Sequence, residues 1–539
     1  MKILKNKKMK TRFISYLVLL GIFVIAYSCT DLEETLVGEV TDEVTKAGVG
    51  GGGGGGGAGD VLAGPFSKLR DGSAGHEAYF SVQSVSSDEM AVTQKGGDWY
   101  DGGIWIDMHR HTYTAANNAF NNSWNHMYGG ITECNTQLAA DGISANQKAQ
   151  LRALRAYFYW RLLDVYGNVK IVTAPGQASV PQSNRAALYN FVESELLAAL
   201  GISAVSNSMD LSSSDLTLDD NKYRINQYAA LGILAKLYLN AEVYTGTAQY
   251  QKAYDAADYI ITNGPYILCD AGCSVPNLGF RPGTNDPENL EGYAAVFGAN
   301  NESNPEIIWS IAYDEITGGG MNFHHMTLHY SSQFTWNFTS QPWNGYVALE
   351  EFYNSYEDND KRKANNFITG VQLDYGGSTI VDYSDPGDPV LNYVPQVNEL
   401  EPNAQRDGGT RLGKFSFKQF ARNDLDNDYP IVRLGEVYLV RGEAKARMSS
   451  SWSEALSDVN IIRARAGVSN LSSLDADSFL AERGREMFQE SSRRTDLIRF
   501  GKWGDAWWEK PGGQADYLEL MPIPTSQIQA GGLNQNTGY

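Results

Sequence analysis

Tryptophan is the side chain in this sequence best suited to ligand chemistry, and its 11 copies fall into two groups. Sugar rings offer apolar C–H faces edged by hydroxyls. A surface that reads them needs exposed aromatic planes with Asn, Asp, Gln or Arg alongside. Trp99 stands in Gly96-Gly97-Asp98-Trp99-Tyr100-Asp101-Gly102-Gly103, where four glycines oppose regular structure and two aromatics lie between two carboxylates. Trp336 and Trp343 stand in Phe334-Thr-Trp336-Asn337-Phe-Thr-Ser-Gln341-Pro-Trp343-Asn344-Gly345-Tyr346, inside a long aperiodic segment. These three are the candidate platforms, with Asp98 and Tyr100 as weaker partners and Trp105 as buried support. Trp124, Trp160 and Trp452 fall on helical faces, and Trp309 in Glu306-Ile-Ile-Trp309-Ser-Ile alternates as in a strand. Trp503, Trp507 and Trp508 sit by the terminal helix; all of these others are read as core.

Other chemistries find little support. His324-His325-Met-Thr-Leu-His329 places two imidazoles four residues apart. No Glu completes a metalloprotease arrangement, and the composition there argues against a helix. Asp424-Leu-Asp426-Asn-Asp428 lacks the Gly and distal Glu of an EF-hand loop, so its acids are assigned to the N-terminus of a following helix. The unbroken run Gly50–Gly57 has no preceding strand and no closing Gly-Lys-Ser/Thr, which removes a phosphate-binding reading. No motif implies a metal or an organic cofactor. Cys269 and Cys273, four apart, could close a small disulfide in an oxidising compartment, leaving Cys134 unpaired and buried.

The elements that must position these residues are mainly helices. Leu151, Leu154, Phe158, Leu162 and Val165 share one face of a helix over 151–166, and Gly167 supplies its stop. Similar periods run through 190–200, 226–244 and 250–262. Toward the C-terminus a helix is read as opening at Pro430 with Leu434, Val437, Tyr438 and Ala444, and Gly435 and Gly442 suit close packing. Trp452–Gly467 forms the next helix, and 478–499 one more. Consecutive helices with small residues at their crossings predict a mostly α fold, a tetratricopeptide-like repeat scaffold. Between about 265 and 429, Gly, Asn, Asp, Pro and Tyr dominate, which predicts long irregular loops with short strands that carry function.

The chain of 539 residues has 43 Lys+Arg against 63 Asp+Glu, a formal net charge of −20 and a mean hydropathy of −0.35. That charge excludes a general nucleic-acid binder and electrostatic docking on anionic lipid. One long apolar run is too few for a polytopic membrane protein. It lies at the front: Lys2, Lys5, Lys7, Lys8, Lys10 and Arg12 precede the 15 apolar-rich residues Phe13–Tyr27. Ala26-Tyr27-Ser28-Cys29 then resembles a bacterial lipobox, in which the cysteine becomes a lipidated N-terminus. Residues 1–28 are therefore read as a lipoprotein signal peptide. Their removal takes away six basic residues and moves the net charge from −20 to −26. Asp31, Glu33 and Glu34 directly behind Cys29 resemble a signal for outward display on the outer membrane. Residues 29–60 read as a Gly-rich tether with an r.m.s. span of roughly 30 Å.

Several motifs converge on one family. Arg152-Ala-Leu-Arg155-Ala-Tyr-Phe-Tyr-Trp160 running into Asp164-Val-Tyr-Gly167, and Tyr429-Pro-Ile-Val-Arg433-Leu-Gly-Glu436 followed by Arg441-Gly-Glu443-Ala, resemble signature helices of SusD/RagB outer-membrane lipoproteins. So do Val459-Asn460-Ile-Ile-Arg463-Ala-Arg465-Ala-Gly467, the stretch from Glu482-Arg483 through Glu486 and Glu490 to Asp496 and Arg499, and the closing Met521-Pro-Ile-Pro524 to Tyr539. The resemblance covers essentially the whole mature chain. It implies a binding protein rather than an enzyme, with 61–264 and 430–539 as helical regions and 265–429 as the ligand-binding region. It further implies a surface lipoprotein that captures polysaccharide or oligosaccharide and hands it to a SusC-like TonB-dependent transporter. The signature residues would pack helices and place charged pairs, with the loops carrying the glycan site. A neutral glucan such as laminarin or starch is favoured, because an acidic surface repels polyanions. The alternatives are a lid for peptide uptake beside a RagA-like transporter and an adhesive surface protein.

Overall fold

The computed structural model describes residues 60–177, 179–218 and 221–539. The signal peptide read at 1–28, the lipobox Cys29 and the tether up to residue 59 lie outside the described residues. The main helices are α1 (Asn118–Leu138), α2 (Ala145–Val165), α3 (Arg185–Leu200), α4 (Gln227–Leu239), α5 (Tyr250–Asn263), α6 (Leu434–Ser449), α7 (Leu456–Ala466), α8 (Ala476–Met487) and α9 (Arg493–Arg499). Four strands matter for the site: β1 (Met90–Val92), β2 (Ile307–Ile311), β3 (Tyr346–Ala348) and β4 (Tyr429–Arg433).

Local sequence sets the helix ends. Ser144 accepts from Gln147 N at 3.1 Å while Gln147 returns a bond to Ser144 N at 2.9 Å, a capping box that starts α2 and contributes about 1 kcal/mol. Asn117, Asn184 and Asn226 cap α1, α3 and α4 through their side chains. Gly467, at φ +77°, closes α7 in the left-handed conformation that disfavours a Cβ.

Burial then assembles the array. α1 packs on α2, α2 on α3, α4 on α5, α5 on α6 and α6 on α7. Because α2 is flanked on both sides, Arg155, Arg161 and Asp164 are buried together with Leu154, Phe158 and Leu162. The helical array expected from sequence is present, and it is continuous across α5 and α6 although residues 264–433 intervene. That insertion holds short strands, single helical turns and long loops. Within it, β2 pairs antiparallel with β4, the strand that leads directly into α6. Val432 of β4 lies directly on α4 because residue 232 is glycine: a Cβ there would fall 2.3 Å from Val432 Cγ1.

Three readings are corrected. The helix assigned to Pro430 onward begins at Leu434, and Tyr429–Arg433 is strand β4. A short apolar run has no distinguishing period, and the partner strand decides it; the ladder is irregular beside Pro430, which cannot donate. The single helix over 478–499 is two, α8 and α9, separated by Gln489 and Ser491 in left-handed backbone. Phe323–Thr327 forms one helical turn where loop was expected. Its His324 and His325 bond to each other (Nε2 to Nδ1, 2.9 Å), and His329 meets Asp382 at 3.1 Å. Among the described residues no group of three or more His, Cys, Asp or Glu is placed to hold a metal. Cys269 and Cys273 are disulfide-bonded, and Cys134 is buried as a free thiol.

The charged residues of the C-terminal motifs form a buried ion lattice. Arg433 donates to Glu490 through Nε and Nη2 (2.7 Å each) and through Nη1 to Glu486 (2.7 Å) and Glu306 (3.0 Å). Arg465 bridges Glu306 and Glu486, while Arg362 joins Asp360, Glu482 and Glu486. Burial would raise the Glu482 pKa, but Arg362, Arg485 and Arg463 overcome it and hold the carboxyl at about 2.

Buried histidines give the fold a pH dependence. Burial depresses His109, His126 and His325 to about 4 and His111 to about 2, from an ordinary value of 6.5. Each is neutral when folded and gains a proton on unfolding below that ordinary value. Their contribution is therefore full above pH 6.5 and is lost as the pH falls toward 4. Glu89, which burial raises to about 8, contributes fully below its ordinary 4.5 and loses that as the pH rises to 8. His76, His324 and His329 are depressed as well, so the histidines outnumber the raised carboxyls Glu89, Asp424 and Glu519, and scanning calorimetry should find a lower Tm at pH 5 than at pH 7.

Candidate functional site

The Trp99 loop is built on a two-stranded ribbon. β1 pairs antiparallel with β3, Val92 opposite Tyr346 and Met90 opposite Ala348. Beyond β1 the chain turns tightly at Gly96-Gly97, with Lys95 N bonded to Asp98 O at 3.0 Å and Asp98 N to Lys95 O at 3.3 Å. The buried Lys95 ammonium caps the turn, donating to Thr93 Oγ1 at 2.6 Å and to Gly345 O at 3.5 Å. Trp99 follows in left-handed backbone, φ +60°, a conformation that costs a non-glycine residue about 1–2 kcal/mol.

Contacts of its indole offset that strain. Trp99 Nε1 donates to Trp343 O at 2.6 Å, and the ring meets Tyr346 edge-on at 5.6 Å and Trp105 at 6.1 Å. Trp105 is 1% exposed and bonded to Asp101 Oδ2 at 2.7 Å, so it lies in the core beneath the platform. Trp343 is held from its own side: residues 343, 344 and 345 donate backbone bonds to the carbonyls of His325, Leu328 and Met326. Its ring lies 5.3 Å from His325 and 5.2 Å from His76, and His76 is 6.1 Å from Trp99.

Two loops 244 residues apart thereby place two half-buried indoles in one open groove of about 650 Å³. Its walls are His76, Glu77, Asp98, Trp99, Asp101, Ile104, Asn118, Tyr330, Gln341, Pro342 and Trp343. Tyr330 donates its hydroxyl to Asp98 Oδ2; burial first, and then that carboxylate, raise the phenol pKa. Burial lowers the pKa of His76, which stands between the indoles as a neutral imidazole at pH 7. Such a surface can stack flat apolar faces and exchange hydrogen bonds through carboxylate, amide and phenol groups.

Of the sequence candidates, the structure brings Trp99, Trp343 and Asp98 together. Tyr100, 50% exposed, is not among the lining residues. Trp336 lies in a separate cleft of about 190 Å³ beside Arg281 and Asp286, stacked on Phe338 at 5.6 Å. His76, Asn118, Tyr330 and Gln341 were not singled out from sequence. Gln341 could have been, two residues before Trp343; His76 and Asn118 carry no local signal, because only the tertiary fold brings them to the groove. Trp507 and Trp508, read as core, are corrected to half-buried, since they sit in a turn at the surface.

Gly345 is the contact that admits the Trp99 ring. A Cβ at 345 would fall 2.4 Å from two indole carbons. Gly345→Ala should displace Trp99 and lower ligand affinity about tenfold while Tm moves by only a few degrees, measured by titration and differential scanning fluorimetry.

Comparison with known proteins agrees with this architecture. Residues 294–539 match the model of the SusD family, and residues 69–239 match a SusD-like model described as starch-binding associating with outer membrane. The chain belongs to the SusD family. A SusD-family relative, the starch-binding protein SusD of Bacteroides thetaiotaomicron, is 25% identical over 455 residues, 75% of each chain. SusD-like protein P25 of Formosa agariphila is 24% identical over 450 residues, 76% of each chain. Among solved structures, a laminarin binding SusD-like protein has a TM-score of 0.67 at 22% identity, covering 89% of this chain and 98% of that one. Surface glycan-binding protein A from Bacteroides uniformis has a TM-score of 0.66 at 20% identity, covering 88% and 98%. The SusD-like fold expected from sequence, helical scaffold and loop-rich insertion together, is the fold observed. No helix among the described residues is long and apolar enough to cross a membrane.

Proposed function

We propose that this protein captures a neutral glucan, laminarin or starch in type, by stacking sugar faces on Trp99 and Trp343. The observation that carries the reading is the convergence of these two indoles on one groove edged by Asp98, Gln341 and Tyr330. The glycan ligands named for the relatives favour carbohydrate over peptide. Glu77, Asp98 and Asp101 make the groove acidic and disfavour polyanionic chains. Binding is non-covalent: Asp98 and Asp101 are already engaged by Tyr330 and Trp105, and no hydrolysis is assigned to them. Cys29, lipidated after cleavage at residue 28, anchors the protein to the outer membrane facing outward, with residues 29–60 as the tether. The bound chain passes to a SusC-like TonB-dependent transporter.

The test is affinity electrophoresis of the purified protein through gels holding laminarin, starch, xylan or pectin. Retardation by laminarin or starch and free migration in pectin are expected. Free migration in all four gels sinks the reading.

A further inference from the structure

We propose that a second groove, at the opposite end of the helix Ile104–Arg110 from Trp99, holds another stretch of the same glycan; this rests on the glycan reading above. The groove measures about 450 Å³ and is walled by Asp88, Glu351, Phe352, Arg493, Trp507 and Trp508. Its construction repeats that of the first. Trp508 stands at the tip of a tight turn closed by Lys510 N to Trp507 O at 2.9 Å. The next residue, Glu509, takes left-handed backbone at φ +53°, as Trp99 does at +60°. Strain of this kind persists where surrounding contacts fix a side chain in place. Those contacts are present: Glu509 accepts from Arg110 at 2.6 Å and from Leu400 N at 3.0 Å, and His109 Nε2 bonds Trp508 O at 2.7 Å.

The polar complement also matches. Arg493 forks onto Asp88 at 2.6 and 2.7 Å beside the indoles, and the Glu351 side chain is exposed. Aromatic planes next to planar charged groups in a concave site suit a polyhydroxylated ligand better than a flat protein surface does.

One helix and one ribbon run from the first groove toward the second. On the helix, Ile104 walls the first and His109 packs on Trp507 and Trp508 at 6.3 and 5.8 Å. On the ribbon, Tyr346 supports Trp99 and Leu349 borders the second groove. Three residues of strand span about 10 Å. A long chain reaches both grooves and gains from the raised local concentration of its second segment, whereas a short one fills only the first.

The test titrates the full-length protein with laminaribiose and with laminarin, comparing wild type, Trp99→Ala, Trp508→Ala and Glu351→Arg. Trp508→Ala and Glu351→Arg should keep laminaribiose affinity within about twofold and weaken laminarin about tenfold, while Trp99→Ala weakens both about a hundredfold. If the two second-groove variants bind laminarin as wild type does while Trp99→Ala weakens both probes, the second groove is overturned and the first stands. Equal weakening of both probes overturns it as well, by making it part of the first groove. Trp99→Ala binding normally, or wild type binding neither probe, overturns the glycan reading and this inference with it. Should Trp508→Ala fail to fold, the exposed Glu351→Arg decides.

Discussion

Trp99→Ala should lower glucan affinity by about 3 kcal/mol, roughly a hundredfold, with the protein still folded. The change removes more than one stacking plane. The Trp99 indole N–H is the donor that ties its loop to Trp343 O at 2.6 Å, so its loss also loosens the second platform. The ring separates His76 from Trp105 and covers Tyr346, and deleting it lets water under the groove floor. Stability is affected less, because Trp99 is half-buried and alanine relinquishes contacts without emptying the core beneath, which Trp105 and Tyr346 fill. Isothermal titration against laminarin reads the affinity, and the melting temperature checks the fold. Trp336→Ala is the matched control: its cleft is separate, so affinity should stay within about twofold.

The second large effect lies far from the ligand. Arg433→Met should cost about 3–5 kcal/mol and leave little folded protein at 37 °C. Arg433 is 1% exposed and is the shared cation for Glu306, Glu486 and Glu490, all buried. Burial lowers its own pKa, but Glu490 and Glu486 reverse the direction and raise it well above the ordinary guanidinium value. Removing it strands three carboxylates in low dielectric with Arg465, Arg362 and Lys414 as the remaining partners. Gly435 sharpens the requirement: a Cβ there would lie 2.5 Å from Arg433 Nη1 and 2.7 Å from Glu306 Oε1, so the lattice has no slack. Chemical denaturation followed by tryptophan fluorescence measures the loss. An Arg433→Met protein as stable as the parent would mean that the lattice supplies no net stability.

The helical scaffold was legible because it is periodic. The Leu151–Val165 face, the Gly167 and Gly467 stops and the charged pairs of the C-terminal motifs all leave marks within a few residues of one another. What was illegible depends on partners distant in sequence. β4 is a strand because Ile307–Ile311 lies beside it, and nothing in Tyr429–Arg433 alone says so. The break between α8 and α9 carries Glu490 to Arg433, a partner more than fifty residues upstream. In the groove, composition found the two tryptophans, because loop indoles amid glycines are conspicuous in a chain. It could not separate Trp343 from Trp336, seven positions apart, since their difference lies in which neighbours the loop meets. Nor could it find His76, whose sequence surroundings are ordinary.

Because α5 buries its face against α6 across the whole of residues 264–433, the array closes late in the life of the chain. A ribosome or a translocation channel delivers α1 to α5 first, and their last neighbour arrives only when the final hundred or so residues emerge. Contacts of such long sequence separation slow folding. If the chain is exported, as proposed above, that delay keeps the body threadable until its end is through. The cost is an unprotected apolar flank on α5 in the interval, formed by Ala253, Ala256, Ala257 and Ile260, which is where a holdase would act.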